Sequence, residues 1–205
     1  MLYREFKYPK KFNKLANGKF NDKYDSIKYF GIKDEDEELA KQIKVLYYNN
    51  EDDFAIKLLT TSNDEVIINK NPKGNNFREI YNNITSKSKE YKDNEFTIDS
   101  DYFKMPYLSL NVMKEYKELE GQPIKDSEGN LIEIGTALQT IKFTLDDVGG
   151  KIKSEAGMDV MKSSIEDNKS KRYFYVDKTF AIFLKETSKD KPYFAARVDD
   201  IRKFQ

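Results

Sequence analysis

The chain contains no histidine, cysteine or tryptophan among its 205 residues. Without histidine and cysteine it cannot assemble a Ser-His-Asp or Cys-His nucleophile, and the usual zinc sites lack their ligands. The absence of cysteine also excludes disulfides, so disulfide bonding cannot indicate the cellular compartment, which stays open. We therefore expect no enzyme, no metal centre and no bound cofactor.

The chain also lacks an excess of charge of either sign. Lysine plus arginine equals aspartate plus glutamate, at 36 each, so no net field attracts nucleic acid or an anionic membrane surface. No apolar run approaches the length of a membrane span, and the first twenty residues lack the unbroken apolar stretch of a signal peptide. We expect a soluble protein that binds neither nucleic acid nor membrane.

The residues that are present favour a β-rich core. A hydrophobic content of 38% suffices for a sizeable core, and no repeat or linker rich in Pro, Gly or Ser divides the chain, which predicts a single domain over 1–205. Phe54, Ile56 and Leu58 alternate on one face of a strand, and "DEVIIN" follows after a polar break. The predicted fold class is α+β, mainly antiparallel sheets with a few short helices.

Other segments give more specific predictions. Residues 6–30 predict irregular edge structure around a turn at Asn17-Gly18, and a strand is expected from about residue 41 to 48. Phe77, Ile80, Tyr81 and Ile84 lie at helical spacing and predict a short amphipathic helix. A second helix is expected in "VMKEYKELEG". The stretches "RYFYVDKTFAIFLKE" and "KPYFAARVDD" predict two strands joined by a polar turn.

The order of three segments is typical of one known family. These are "ALQTIKFTLDDVGG", a strand running into an acidic pair and glycines; "FYVDKTFAIFLKETSKDKPYFAARVDD", a terminal hairpin; and "DSDYFKMPYLSLNVMKEYKEL", with Met105-Pro106 before a strand. Together they resemble the C-terminal half of a serpin. Weaker agreement covers nearly the whole chain, and a serpin's N-terminal half has no counterpart.

The resemblance implies a hinge and an exposed bait loop after the first of these segments. The hinge would comprise Asp146, Asp147, Gly149 and Gly150. In serpins a protease cuts the loop, which then inserts as a new central strand and traps the enzyme. The expected mobile segment is 149–169 here, and its reactive-loop-like positions would be Ile152, Ser154, Ala156, Met158, Met161, Lys162 and Ser163.

The charges of this segment depart from the small residues that the family favours. By strand period, Gly150, Ile152, Ser154, Ala156 and Met158 share one face, and Lys151, Lys153 and Glu155 share the other. Burying each of those charges without a partner would cost several kcal/mol. The sequence therefore permits insertion but does not favour it.

The chain supplies only one of the two strands between which such a loop inserts. We expect the strand 139–147 to expose unpaired N–H and C=O groups, an edge that recruits another strand. The recruit could be this molecule's own segment, a second copy in a homo-oligomer, or a separate chain.

Two hypotheses for the function follow. The first is a serpin-like protein whose segment binds a protein partner, such as a protease, without being a stand-alone suicide inhibitor. The second is a non-inhibitory structural or interaction module of serpin-derived fold. Simpler explanations stay open: Asp146 to Gly150 as an ordinary turn, and Met161 to Ser163 as a surface loop that any protease would cut.

Overall fold

A computed structural model describes residues 4–125, 127–134, 138–149 and 170–205, and every structural statement below concerns those residues. The elements, in chain order, are β1 Asn13–Phe20, β2 Tyr24–Gly31, α1 Glu37–Lys41, β3 Ile43–Asn50, β4 Asp53–Leu59, β5 Asp64–Lys70, α2 Phe77–Glu90, β6 Asp101–Pro106, β7 Leu108–Glu115, β8 Pro123–Lys125, β9 Leu131–Glu133, β10 Leu138–Leu145, β11 Arg172–Tyr175, β12 Phe180–Glu186 and β13 Phe194–Val198. Short 3₁₀ helices occupy Lys117–Leu119 and Ile201–Lys203.

The five-stranded antiparallel sheet, in the order β13-β12-β5-β4-β3, forms the middle layer. Side chains alternate across a strand, so its two faces bury different residues. Phe54, Ile56 and Leu58 point into the main core, as the sequence predicts, whereas Ala55 packs with the residues beneath α2. Every residue of β5 is buried, because both faces of this central strand are covered.

Helix α2 covers one face of that sheet. Asn76 caps its first turn by accepting a hydrogen bond from the Glu79 N–H at 3.0 Å. Ile80 and Ile84 are buried against the sheet, while Phe77 stays largely exposed. The predicted amphipathic helix is confirmed, and it extends to Glu90.

A four-stranded sheet, in the order β1-β2-β6-β11, covers the other face. Its strands are antiparallel except for β11, which runs parallel to β6. Aromatic rings close the interface: Phe20 contacts Phe180 at 6.1 Å between centroids, and Phe54 contacts Phe174 at 5.2 Å in an edge-on arrangement. The main core therefore lies between these two sheets.

The remaining strands form a long two-stranded ribbon. β7 pairs antiparallel with β10 from Leu108↔Leu145 to Glu115↔Leu138, and farther out β8 pairs with β9. The expected strand 139–147 is observed as β10, 138–145, which is paired with β7 over its whole length, and residues 146–147 lie beyond that pairing. The expectation of a strand without a neighbour is wrong for that edge; the opposite edge of β10 is paired with no other described strand.

Three sequence-based predictions of local structure are wrong. A helix in "VMKEYKELEG" is replaced by the end of β7 and one 3₁₀ turn, because pairing with β10 outweighs the helix preference of Lys and Glu. The turn expected at Asn17-Gly18 lies instead at 21–23, where Asn21 and Asp22 adopt positive φ. The first predicted strand of the terminal pair is divided into β11 and β12, which belong to different sheets.

The strand expected from about residue 41 begins at Ile43, after the short helix α1. No helix within the described ranges is long and apolar enough to cross a membrane.

Candidate functional site

The described chain stops on both sides of residues 150–169, and each side is anchored by a separate set of contacts. The first anchor, which we call the hinge anchor, comprises residues 146–149 and their contacts. The second, the arginine anchor, is built around Arg172. Gly150, Ile152, Ser154, Ala156, Met158, Met161, Lys162 and Ser163 lie outside the described residues.

At the hinge anchor, backbone groups join the end of β10 to an N-terminal segment. Tyr8 donates its N–H to the Val148 carbonyl at 3.1 Å, and Phe12 donates to the Asp147 carbonyl at 2.8 Å. An isolated antiparallel bridge joins Lys7 to Gly149. The chain leaving β10 is therefore held by residues from the N-terminal part of the sequence.

Asp147 is the central side chain of this anchor. Only 4% of it is exposed. Its Oδ1 accepts a hydrogen bond from the Tyr107 hydroxyl at 2.8 Å, and the Lys11 ammonium lies 3.2 Å from its Oδ2. Among the described residues Oδ2 has no hydrogen-bond partner, so the Lys11 contact is an ion pair only. It adds charge attraction, which is modest because Lys11 is largely exposed.

The two tyrosines of the hinge anchor differ in how they are satisfied. Burial raises the pKa of Tyr107, and its hydrogen bond to the carboxylate of Asp147 raises it further. Burial also raises the pKa of Tyr8, with a smaller contribution from the charge of Asp146. The hydroxyl of Tyr8 is buried and has no hydrogen-bond partner within the part of the chain that the structure describes. Both phenols are therefore held in the neutral form.

Gly149 fits a position that other residues do not. Its φ is +110°, in the region that disfavours side chains, and a Cβ there would lie 2.5 Å from the Lys7 Cα and 2.7 Å from the Phe6 carbonyl oxygen. Close backbone contact, as well as conformational freedom, explains this glycine. Asp146 accepts a hydrogen bond from the Val148 N–H at 2.9 Å, which closes the local turn.

The arginine anchor fixes the chain where β11 begins. Arg172 and Asp101 are both buried and form a bidentate pair, with Nε to Oδ1 at 2.8 Å and Nη2 to Oδ2 at 2.6 Å. Nη1 also donates to the Tyr91 hydroxyl at 3.0 Å and to the Asp93 carboxylate at 2.8 Å. The Arg172 N–H donates to the Ser100 carbonyl at 2.9 Å, next to the parallel pairing of β11 with β6.

These contacts keep the guanidinium charged. Burial alone lowers the pKa of Arg172, but the hydrogen bonds and charge of Asp101, with Tyr91 and Asp93, outweigh it and raise the pKa. A buried charge without its partner is strongly unfavourable, so the pair holds β11 in one position. Sequence reasoning missed Arg172, Tyr107 and Tyr8; the arginine directly after the bait-like segment is the one signal that could have been followed.

Acidic residues line a cleft of about 520 Å³ beside the arginine anchor. The cleft is bordered by Asp34, Glu35, Asp99 and Asp101, with Ile32 and Tyr102 among the other lining residues. Asp101 already forms an ion pair with Arg172. In the described part of the chain no group of three or more carboxylates is arranged to hold a metal ion.

The fold of this chain has counterparts among solved protein structures. No protein-family model matches the chain, and no curated protein matches it. Solved structures do match: human thyroxine-binding globulin has a TM-score of 0.59 at 9% identity, over 95% of this chain and 53% of that one. Human glycosylated kallistatin has a TM-score of 0.59 at 12% identity, over 95% and 53%. Serpin48 from the insect Tenebrio molitor has 0.57 at 14%, over 94% and 52%.

The chain has the fold of a serpin's C-terminal half. It spans about half the length of the serpins it matches. At these identities the likeness establishes the fold and not the activity. In the sequence, residues 150–169 lie between β10 and β11, and their assignment to a reactive loop stays a prediction.

Proposed function

We propose that this chain is a serpin-like protein that binds a protein partner through residues 149–169, and that it is not a stand-alone suicide inhibitor of proteases. The observation that carries the proposal is the pair of anchors at the two ends of the segment. Binding loops are commonly held by a rigid scaffold, and here Asp147 and Arg172 each lie in a buried polar network.

The strand pairing supports the second half of the proposal. A loop that traps a protease inserts between two strands, and β10 has β7 on one side and no described strand on the other. The charges of Lys151, Lys153 and Glu155 oppose burial of one face of the segment. Trapping by insertion therefore requires a strand from elsewhere.

Two kinds of partner fit. A protease would bind the segment as a substrate-like loop, and the bond that it cleaves would lie near Met161, Lys162 and Ser163. A separate chain, or a second copy, would pair with the free edge of the strand 139–147. A catalytic activity forms no part of the proposal, because the sequence holds neither histidine nor cysteine.

A panel of serine and cysteine proteases tests the proposal. The matched control replaces residues 151–168 by a Gly-Ser linker of equal length, which retains both anchors. We expect the natural chain to compete with a small reporter substrate and to be cut slowly within the segment, without an SDS-stable adduct and without a rise in Tm. The linker variant should fail to compete while keeping its Tm.

Each alternative has its own outcome. An SDS-stable adduct together with a higher Tm after cleavage would show trapping and contradict the proposal. Equal behaviour of the natural chain and the linker variant with every protease would favour the non-inhibitory module. A Lys162→Ala variant checks the site, because a trypsin-like enzyme should then lose its cut at that bond.

A further inference from the structure

The tip of the ribbon exposes large apolar side chains. In the β8–β9 hairpin Ile124 lies opposite Ile132, and Lys125 lies opposite Leu131. The exposed fractions are 44% for Ile124, 46% for Ile132 and 73% for Leu131. An isolated two-stranded hairpin is only marginally stable in water, so a tip of this composition gains from a further strand.

The two edges of the ribbon differ in their ability to accept one. On the β7–β8 side, Ser109 already donates its N–H to the Phe204 carbonyl, the 3₁₀ turn at Lys117–Leu119 interrupts the strand, and Pro123 has no N–H. Prolines and interruptions are the usual protection of exposed edges. The β9 edge has no proline, and among the described strands none pairs with it.

The direction of the backbone groups identifies which residues face that edge. Ile134 donates its N–H to the Gln122 carbonyl at 3.2 Å, toward β8. Backbone groups alternate in direction along an antiparallel strand, so Ile132 also faces β8 and the groups of Leu131 and Glu133 face outward. Those outward groups are spaced to pair with an identical strand running the opposite way.

We propose that the chain self-associates by pairing β9 with the β9 of a second copy, about a two-fold axis at Ile132. Leu131 of each copy then exchanges hydrogen bonds with Glu133 of the other, and the two Ile132 side chains meet as a non-hydrogen-bonded pair. This proposal is independent of the function of residues 149–169.

A second copy fits better than an arbitrary peptide because the pairing is self-complementary. On one face Ile124 and Ile132 continue into the same two residues of the second copy as one apolar row. On the other face Leu131 lies between Lys125 and Glu133 of the second copy, so these opposite charges are two strand spacings apart, about 9.5 Å, and add only weak attraction. The equal numbers of acids and bases leave no net repulsion between copies. The contact is small, which places the dimer among weak, concentration-dependent associations, below about 1,200 Å² of buried surface.

Cysteine crosslinking tests the axis, because the chain has no natural cysteine. In the proposed dimer the Cβ atoms of Ile132 lie about 4.5–5.5 Å apart, close to disulfide distance, so the Ile132→Cys variant should form a disulfide dimer on mild oxidation. Leu131→Cys is the matched control: it is more exposed, so random collision favours it, but its counterpart is about 7–8 Å away. Ile132→Cys should crosslink several-fold faster.

Sedimentation over a dilution series tests the edge. Glu133→Pro removes the outward N–H without touching the β8–β9 ladder, and Glu133→Gln removes only the charge. We expect the natural chain and Glu133→Gln to dimerise reversibly, and Glu133→Pro to stay monomeric with an unchanged Tm. A natural chain that is monomeric throughout, a Glu133→Pro variant that dimerises normally, or faster crosslinking of Leu131→Cys would each overturn the proposal.

Discussion

The Gly149→Ala substitution tests whether close backbone contact fixes the end of β10. A Cβ at this position would overlap the Lys7 Cα and the Phe6 carbonyl oxygen, and neither is a side chain that can rotate away. Left-handed backbone strain adds roughly 1–2 kcal/mol for a residue with a Cβ. Displacing residues 6–8 also weakens the hydrogen bond from the Tyr8 N–H to Val148, for about 1 kcal/mol. We expect a total loss of about 3 kcal/mol.

Urea and thermal unfolding measure this loss. For a chain of this size 1 kcal/mol corresponds to roughly 2–4 °C, so Tm should fall by about 6–12 °C. Gly129→Ala is the control, because Gly129 also has positive φ, +86°, but nothing lies within 4 Å of its Cβ position. It should lose at most about 1–2 kcal/mol from backbone strain alone. Equal losses for the two variants would refute the argument from close contact.

Three further predictions concern the same networks. Tyr107→Phe should lower the free energy of unfolding by about 1–3 kcal/mol, because it leaves the buried Oδ1 of Asp147 without its donor. Tyr8→Phe should be neutral or stabilising, because its hydroxyl has no partner among the described residues. Urea unfolding distinguishes the two variants, and equal losses would contradict the assignment. Arg172→Met should lower the free energy of unfolding by about 3–5 kcal/mol, because the buried Asp101 loses its cationic partner and keeps only the hydrogen bond from Thr97 N–H. The double variant Arg172→Met with Asp101→Leu should recover much of that loss, and failure to recover would count against the pair. Burial raises the pKa of Tyr8, Tyr29, Tyr47, Tyr107 and Tyr193. The stabilisation from these neutral tyrosines is complete below the unfolded pKa near 10, and above that pH it is lost by up to about 1.4 kcal/mol per pH unit per tyrosine. Tyrosinate absorbance follows the titration without interference, since there is no tryptophan. A free energy of unfolding that stays constant in strong alkali would contradict this prediction.

The sequence predicts the parts of the fold that depend on local pattern. Alternation identified Phe54, Ile56 and Leu58 as one buried face, and all three lie in the main core. This prediction holds because a strand with one apolar face has one way to bury it. The order of such segments then sufficed for the fold.

Predictions failed where distant pairing decides the conformation. The stretch 112–115 has helix-forming residues, but β10 pairs with it from 23 to 29 residues further along the chain and supplies the hydrogen bonds of a strand. Likewise Gly18 signalled a turn, yet it lies within β1, where a Cβ would press on the Tyr29 ring at 3.2 Å. A glycine can serve close packing as well as a turn, and the sequence does not distinguish them.

The candidate site was predictable only in part for the same reason. Asp146, Asp147 and Gly149 were singled out because they adjoin one another in the family-like stretch, and their role as a hinge stays a prediction. Their partners were not, because Tyr107 precedes Asp147 by 40 positions and Asp101 precedes Arg172 by 71. No local pattern indicates that these side chains meet.

Buried apolar contacts are dense in the two main sheets and sparse in the ribbon. The two main sheets share a continuous core, whereas the ribbon joins that core mainly through Leu108, Phe143 and Leu145 at its base. Phe143 also packs on Phe194 at 4.8 Å between ring centroids. Segments with few buried contacts open at lower free energy than the core. The ribbon should therefore open more readily than the main sheets and the arginine anchor, which is the property that the proposed strand recruitment at β10 and the proposed pairing at β9 both require.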